Sequence, residues 1–173
     1  MKKFIITLLV ATGSMASFSQ EIKEEKTDPL TGNKIKITKG EFIYSTSGNE
    51  YITAECLRNG DKYSLVLRVT TTNTVYTVLQ GKPLILKLSN DSSLRLIVPI
   101  DFTSKIGSGI AGSFGQIKYG VTMEFKLNEH DRLALLSNQV KLVRLYADNF
   151  SNDYEIKNKY RNVIPKQLSL LAK

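Results

Sequence analysis

Apolar and polar residues alternate along the central part of the chain. From Ile117 to Leu127 every second position carries an apolar side chain, and the positions between them are mostly polar or charged. The same two-residue period runs from Tyr63 to Val69 and from Leu94 to Ile100. Because successive side chains of a strand point to opposite faces, this pattern predicts strands with one buried face and one solvated face.

Eight strands are predicted in all. They cover residues 35–44, 51–58, 62–70, 75–79, 84–89, 94–101, 117–127 and 140–147. The links are short and rich in turn formers: Asn59 and Gly60 suit a type I′ hairpin turn, and 90–93 and 81–83 suit other tight turns. A crossover helix does not fit into such links, so we expect neighbouring strands to run antiparallel.

Two helices complete the expected fold. Asn128 is a suitable N-cap for a short helix over 129–138, before the last strand. From about Tyr154 the apolar residues recur at helical spacing, which predicts an amphipathic C-terminal helix that Pro165 kinks or divides in two. The predicted fold is mainly β: an antiparallel β-sandwich or small β-barrel of about eight strands, with these two helices.

The N-terminal residues have the layout of a secretory signal peptide. Two lysines precede an apolar run over 4–11, and small residues lead up to a cleavage site after Ser19. The expected organisation is a signal peptide over 1–19, a flexible segment over 20–32 and a single β-rich domain over 33–173. This region contains no cysteine for lipid attachment. We therefore expect a soluble periplasmic or extracellular protein without a transmembrane segment in its mature chain.

Charge and cysteine content limit the classes of partner and of stabilising bond. The mature chain has 22 basic and 16 acidic residues, a net charge of +6, which is modest and does not favour nucleic acid as a partner. Cys56 is the single cysteine, so no disulfide can form within the chain. It alternates with Ile52 and Ala54, which predicts a buried and unreactive thiol.

The stretch IGSGIAGSFG, residues 106–115, contains a literal G-x-G-x-x-G motif. A dinucleotide-binding fingerprint needs a helix directly after the glycines, whereas these glycines lead into the clearest predicted strand. We therefore interpret the stretch as a loop between two strands. Its apolar and hydroxyl side chains make it a candidate contact loop, with Ile106, Ser108, Ile110 and Phe114 as the candidate residues.

Catalytic residues are scarce in this sequence. His130 is the single histidine, and its neighbours Glu129 and Asp131 point in different directions on a helix, so no metal site or triad is predicted. Neither Ser108 nor Ser113 lies in the G-x-S-x-G motif of serine hydrolases. We expect no cofactor and no enzymatic activity, while an enzyme with an unrecognised site stays an alternative.

The C-terminal segment carries a candidate basic surface. Lys157, Lys159, Arg161 and Lys166 are expected on the solvated face of the C-terminal helix. If this charge has a partner, an anionic polysaccharide surface outside the cytoplasm is favoured over nucleic acid.

Two hypotheses of different class describe the function. The first is an exported non-catalytic domain that acts through surface or loop contacts, as an interaction or adaptor module for an envelope or extracellular partner. The alternative is a carrier of a small apolar ligand, since eight strands followed by a helix are similar in outline to lipocalin-like barrels. A carrier needs an open interior, and the inward rows of large aliphatic residues favour a filled one. The sequence therefore favours the interaction module.

Overall fold

The computed structural model describes residues 21–46, 50–72, 74–106, 118–148 and 150–172. Within these ranges the chain forms thirteen strands, two α-helices and one short 3₁₀ helix. In chain order these are β1 (Ile22–Thr27), β2 (Lys34–Thr38), β3 (Glu41–Ser45), β4 (Tyr51–Asn59), β5 (Lys62–Thr72), β6 (Thr77–Val78), β7 (Pro83–Leu88), β8 (Ser93–Ile97), β9 (Phe102–Thr103), β10 (Lys105–Ile106), β11 (Lys118–Leu127), α1 (Glu129–Ser137), β12 (Val140–Tyr146), β13 (Ser151–Glu155), the 3₁₀ helix (Asn158–Tyr160) and α2 (Val163–Ala172).

The strands form an antiparallel β-sandwich, as predicted. The larger sheet has the order β1-β2-β4-β5-β11-β10, with β3 also pairing with β4, and the smaller sheet has the order β13-β12-β7-β8. A third ladder joins the two-residue strands β6 and β9. Since β8 and β11 do not pair among the described residues, the sheets do not close, and the barrel alternative is wrong.

The inner faces of the two sheets share one apolar core. In the larger sheet Cys56, Leu65 and Phe125 lie side by side on β4, β5 and β11 and are buried, which confirms the predicted alternation. The smaller sheet contributes the buried leucines of β7 and β8 and the inner residues of β12. Burial raises the pKa of the Cys56 thiol far above its usual range, so the expected inert thiol fits its surroundings.

Four strands lie outside the eight that were predicted, and one predicted strand is split. The additional strands are β1, β9, β10 and β13, and the predicted strand over 35–44 divides into β2 and β3. Two strands, β12 and β13, follow α1, so the prediction of a single last strand is wrong. Since β13 has the sequence SNDYE, in which Tyr154 alone is buried, its strand is not visible in the apolar period.

Residues 20–32, expected to be flexible, contain in their described part the first strand and the turn of a β-hairpin. β1 pairs with β2 although four of its six residues are charged. The turn is organised by Asp28, whose carboxylate accepts hydrogen bonds from the Leu30 amide and the Thr31 hydroxyl, at 2.9 and 2.7 Å. Gly32 has a φ of +71°, which a side chain would oppose. The hairpin is thus stabilised by the hydrogen bonds and the glycine of its turn, and not by an alternating row of apolar side chains.

The β4–β5 hairpin differs by one residue from its expected turn. Asn59 pairs with Lys62, so the turn residues are Gly60 and Asp61. Among these, Gly60 alone has a positive φ, of +59°, as in a type II′ turn with glycine at its first central position. The expected type I′ turn over Asn59 and Gly60 is therefore wrong in type and position, although the hairpin itself is confirmed.

The break between β2 and β3 is bridged by a buried hydroxyl. Both strands pair with the same edge of β4, and the chain leaves that edge at Lys39 and Gly40. At the break the Thr38 hydroxyl oxygen accepts from the Cys56 amide at 2.9 Å and donates to the Cys56 carbonyl at 3.3 Å. One side chain thus replaces the two backbone bonds that a continuous strand would provide.

Helix α2 begins later than the amphipathic period suggests. It packs against β2, β3 and β4 and against α1. Pro165 lies in its first turn, where backbone amides have no partner within the helix, so a single helix continues through it, and the predicted kink or division is wrong. The buried Gln167 side chain donates from Nε2 to the carbonyls of Lys39 and Ala54, at 2.9 and 3.0 Å. This amide fixes α2 to the β2–β3 break and to β4.

No helix in the described segments has both the length and the apolar composition that a membrane crossing requires.

We predict that Thr38→Val lowers the free energy of unfolding by about 1–3 kcal/mol, because the buried amide and carbonyl of Cys56 lose their partner while the side-chain shape is kept. Urea unfolding followed by circular dichroism measures the change. Thr53→Val, on the outer face of β4, is the matched control and should stay within about 0.5 kcal/mol. An equal loss of unfolding free energy in both variants would show that the Thr38 hydroxyl bridge does not contribute more than an exposed threonine hydroxyl.

We also predict a loss of stability at alkaline pH. Burial raises the pKa of Tyr154 from 10.0 to about 12, and burial raises the pKa of Tyr76 too. Below pH 10 both states of the chain hold these protons, whereas between pH 10 and 12 the unfolded chain releases them first, so the free energy of unfolding falls in that window. Urea midpoints measured across the window for the wild type and Tyr154→Phe check this, and an equal slope in the variant would contradict it.

Candidate functional site

The candidate contact loop falls largely outside the described residues. Ser108, Ile110 and Phe114 lie in the undescribed range 107–117. Ile106, at the end of β10, is described, and 71% of its surface is exposed. It pairs with Tyr119 of β11, so the loop begins beside the start of that strand.

The four candidate basic residues do not share one helical face, so that part of the prediction is wrong. Lys166 alone lies on α2, because the helix begins at Val163. Lys159 lies over the Tyr160 ring, with Nζ at 4.6 Å from the ring centre. Arg161 donates from Nε to the Ile156 carbonyl at 2.8 Å, and Lys157 and Arg161 line one small depression with Glu155. Three of the four residues therefore lie before α2, and their role as a basic contact surface stays a prediction.

His130 lies at the start of α1, as predicted, with Asn128 as N-cap. The Asn128 side chain accepts from the Asp131 amide at 2.8 Å. The His130 side chain is 88% exposed, and its Nδ1 lies 3.5 Å from an Asp131 carboxylate oxygen. Within the described part of the chain no three His, Cys, Asp or Glu side chains converge as metal ligands.

A groove of about 840 Å³ lies at the open side of the sandwich. One wall is formed by β8 and the segment after it, with Arg95, Ile97 and Ile100. The opposite wall is formed by the outer face of β11, with Glu124 and Lys126. The floor is reached between the two strands and consists of the buried side chains of Leu96 and Phe125.

The groove exists because two sheet edges meet without pairing. Among the described strands, β8 is the terminal one of the smaller sheet. In the larger sheet, β10 pairs with β11 at Tyr119 and Gly120, and β9 packs near β11 without pairing with it, so β5 is the one described strand that pairs with the stretch from Thr122 to Leu127. Backbone groups on such edges are available for pairing with another strand.

The rim of the groove exposes apolar side chains. Ile97 is 56% exposed and Ile100 is 57% exposed. Ile100 was expected to continue the buried row of Leu94 and Leu96, but β8 ends at Ile97 and the chain turns away from the sheet. Apolar rim residues above a buried apolar floor are typical of a binding surface.

Charges of both signs border this apolar surface. Arg95 and Lys126 supply the positive charges, and Glu124 and Asp131 the negative ones. Among the described residues Glu124 and Lys126 form no ion pair, in contrast to the acids and bases of β1. The groove is therefore electrically balanced, with two free charges of opposite sign on β11.

A second depression of about 620 Å³ adjoins the groove on the outer face of the larger sheet. Val66 and Thr122 line both. Its charges are mostly engaged: Lys23 lies 3.8 Å from Glu55, and Arg68 donates from Nε to the Thr122 hydroxyl at 3.2 Å. Of these two depressions, the first holds Glu124 and Lys126, which form no ion pair among the described residues, and the exposed Ile97 and Ile100.

Reasoning from the sequence predicted both strands of the groove but did not place them at open edges. One indication was present: Ile97 is apolar although it lies out of phase with the buried row Leu94, Leu96 and Val98. An apolar side chain on the wet face of a strand marks a surface that another molecule can cover.

The chain was compared with known proteins at three levels. No family model matches it, and neither the search of curated proteins nor the search of solved structures finds a match.

Proposed function

We propose that the protein is an exported, non-catalytic interaction module whose contact site is the groove between β8 and β11. The observation that carries this proposal is the combination of exposed Ile97 and Ile100 with the edge of β8 and the stretch of β11 beyond Gly120, for which no described strand is a pairing partner on the groove side. An apolar rim supplies the burial energy of an interface, and strand edges supply directional hydrogen bonds.

The packing of the interior supports this function over a lipocalin-like carrier. The inner rows of both sheets contact one another in a single cluster of buried side chains. A ligand cavity within the sandwich would need those rows to stand apart. A small apolar ligand would have to bind in the external groove, where it would compete with a protein partner.

The proposal of export rests on the N-terminal pattern alone. Residues 1–20 lie outside the described range, so the signal peptide stays a prediction.

We predict that Ile97→Asp together with Ile100→Asp weakens partner binding at least about tenfold, because charges then enter the surface that the partner must dehydrate. The mature chain is purified from its native compartment, and bound molecules are identified and quantified by mass spectrometry.

The matched control is Leu30→Asp, which changes an apolar residue that is 94% exposed in the β1–β2 turn, a hairpin that β4 and β5 separate from β11 in the larger sheet. A partner that the control retains and the groove variant loses supports the proposal. A partner bound equally by both variants contradicts it, and a stoichiometric lipid lost from the groove variant supports the carrier hypothesis instead.

A further inference from the structure

We propose that the groove is filled by a second copy of this chain, which pairs its own β11 antiparallel to β11 in one register centred on Phe125. The inference rests on the proposed function, since it names the partner of the same groove. It makes the larger sheet continuous across two protomers.

The direction of the backbone groups on β11 follows from the β4–β5 hairpin. Asn59 and Lys62 close a two-residue turn, and residues that close such a turn exchange both backbone hydrogen bonds. Alternation along the ladder then turns the Cys56 backbone away from β5. The bonds from the Cys56 amide and carbonyl to Thr38 on the other side agree with this.

The same alternation continues across β5 to β11. Leu65 and Leu67 direct their backbone groups towards β11, where they meet Phe125 and Met123. The amides and carbonyls of Thr122, Glu124 and Lys126 therefore point to the other side, into the groove. They form a row of donors and acceptors at the spacing that an incoming strand requires.

The charges on this edge are self-complementary. In antiparallel pairing centred on Phe125, Glu124 lies opposite Lys126 of the second copy, and Lys126 lies opposite Glu124 of the second copy. The outward-pointing backbone groups of these same residues meet in this register. Two attractive cross-strand pairs thus form on the outer face, related by a twofold axis.

The neighbouring registers are less favourable. A shift that keeps the backbone groups facing each other places Glu124 opposite its own copy, or Lys126 opposite its own copy, and like charges across a strand pair repel. A shift by one residue places the inward-facing side chains of one β11 opposite the outward-facing side chains of the other. The charges therefore select one arrangement.

The other sheet edges are less suited to self-pairing. β1 also carries an acid and a base two positions apart on each face, but these charges are engaged within the chain: Glu24 with Lys26 at 2.7 Å and Glu25 with Lys36 at 3.7 Å. Centring β1 on Glu24 or Glu25 would also oppose two carboxylates. β8 has five residues and ends just before Pro99, and β13 carries Asp153 and Glu155. Short, charged or proline-flanked edges resist pairing.

The inward side of the proposed interface is apolar. Phe125 faces Phe125 of the second copy across a pair without mutual hydrogen bonds, where side chains approach closely. The exposed Ile97 and Ile100 border this position from the β8 side. The second copy thus covers the apolar rim as well as the strand edge.

The test uses charge reversal in the full mature chain, followed by analytical ultracentrifugation over a range of concentrations. Glu124→Lys and Lys126→Glu each turn both attractive pairs into repulsive ones and should raise the dimer dissociation constant at least about tenfold. The double variant Glu124→Lys with Lys126→Glu restores both pairs and should dimerise like the wild type. An equal mixture of the two single variants should also form a mixed dimer, since each pair then joins opposite charges.

The control is Lys87→Glu, an exposed charge on the outer face of the smaller sheet, which should leave dimerisation unchanged. Thermal unfolding by circular dichroism shows that each variant is folded. Slower amide exchange at Glu124 and Lys126 with rising protein concentration is the direct mark of strand pairing.

Two outcomes overturn the inference: a chain that is monomeric at every concentration, or a dimer that both single variants retain. If the chain is monomeric but loses a different bound protein on Ile97→Asp with Ile100→Asp, this inference fails and the proposed function stands. If the chain dimerises through β11 while that groove variant binds every native partner unchanged, the groove is not the site for those partners and the proposed function is restricted to self-association.

Discussion

The packing of the inner rows of the two sheets is the constraint on which the rest of the structure depends. The single cysteine excludes an internal disulfide, so burial of apolar side chains must supply most of the stability, at roughly 1.5–3 kcal/mol for each large one. A slip of one residue in β5 would turn Leu65, Leu67 and Val69 towards water. The core thus fixes the register of the strands and, with it, the direction of every backbone group on the sheet edges.

A filled interior also determines where other molecules can bind. Because the inner faces contact one another, contacts with other molecules fall on outer faces and edges. The outer faces carry many engaged charges: Arg144, for example, donates from Nη2 to a carboxylate oxygen of Asp153 at 2.6 Å. The groove between β8 and β11 combines exposed apolar side chains with strand edges that no described strand pairs with, and this combination supports the proposed contact site.

The sequence predicted features that local chemistry determines. The alternating rows from Tyr63 to Val69 and from Val121 to Leu127 and the Asn128 cap follow from residues close in the chain. It did not predict β1, a run of charges held by a turn, or the β2–β3 break bridged by Thr38. The groove also escaped prediction, since strand order depends on pairings between distant segments such as β5 with β11. The two-residue repeat of apolar side chains identifies a strand but not the strands beside it. It therefore cannot show which strand lies at the edge of a sheet.

The charges on β11 differ in kind from those that protect a sheet edge. On a protected edge, a charged side chain faces inward, or several charges of the same sign follow one another along the strand. Either arrangement repels any incoming strand. Glu124 and Lys126 face outward and have opposite signs, while the inward Phe125 between them is apolar. Such an edge repels misaligned strands through like charges and accepts an aligned one through unlike charges. The edge therefore combines affinity, which comes from the apolar floor and the backbone groups, with specificity, which comes from two side chains. An antiparallel pair reverses the order of residues, so a glutamate and a lysine two positions apart lie opposite a lysine and a glutamate of an identical strand. The partner that matches the charges, the apolar residue between them and the backbone groups of this edge is therefore the same strand in another molecule.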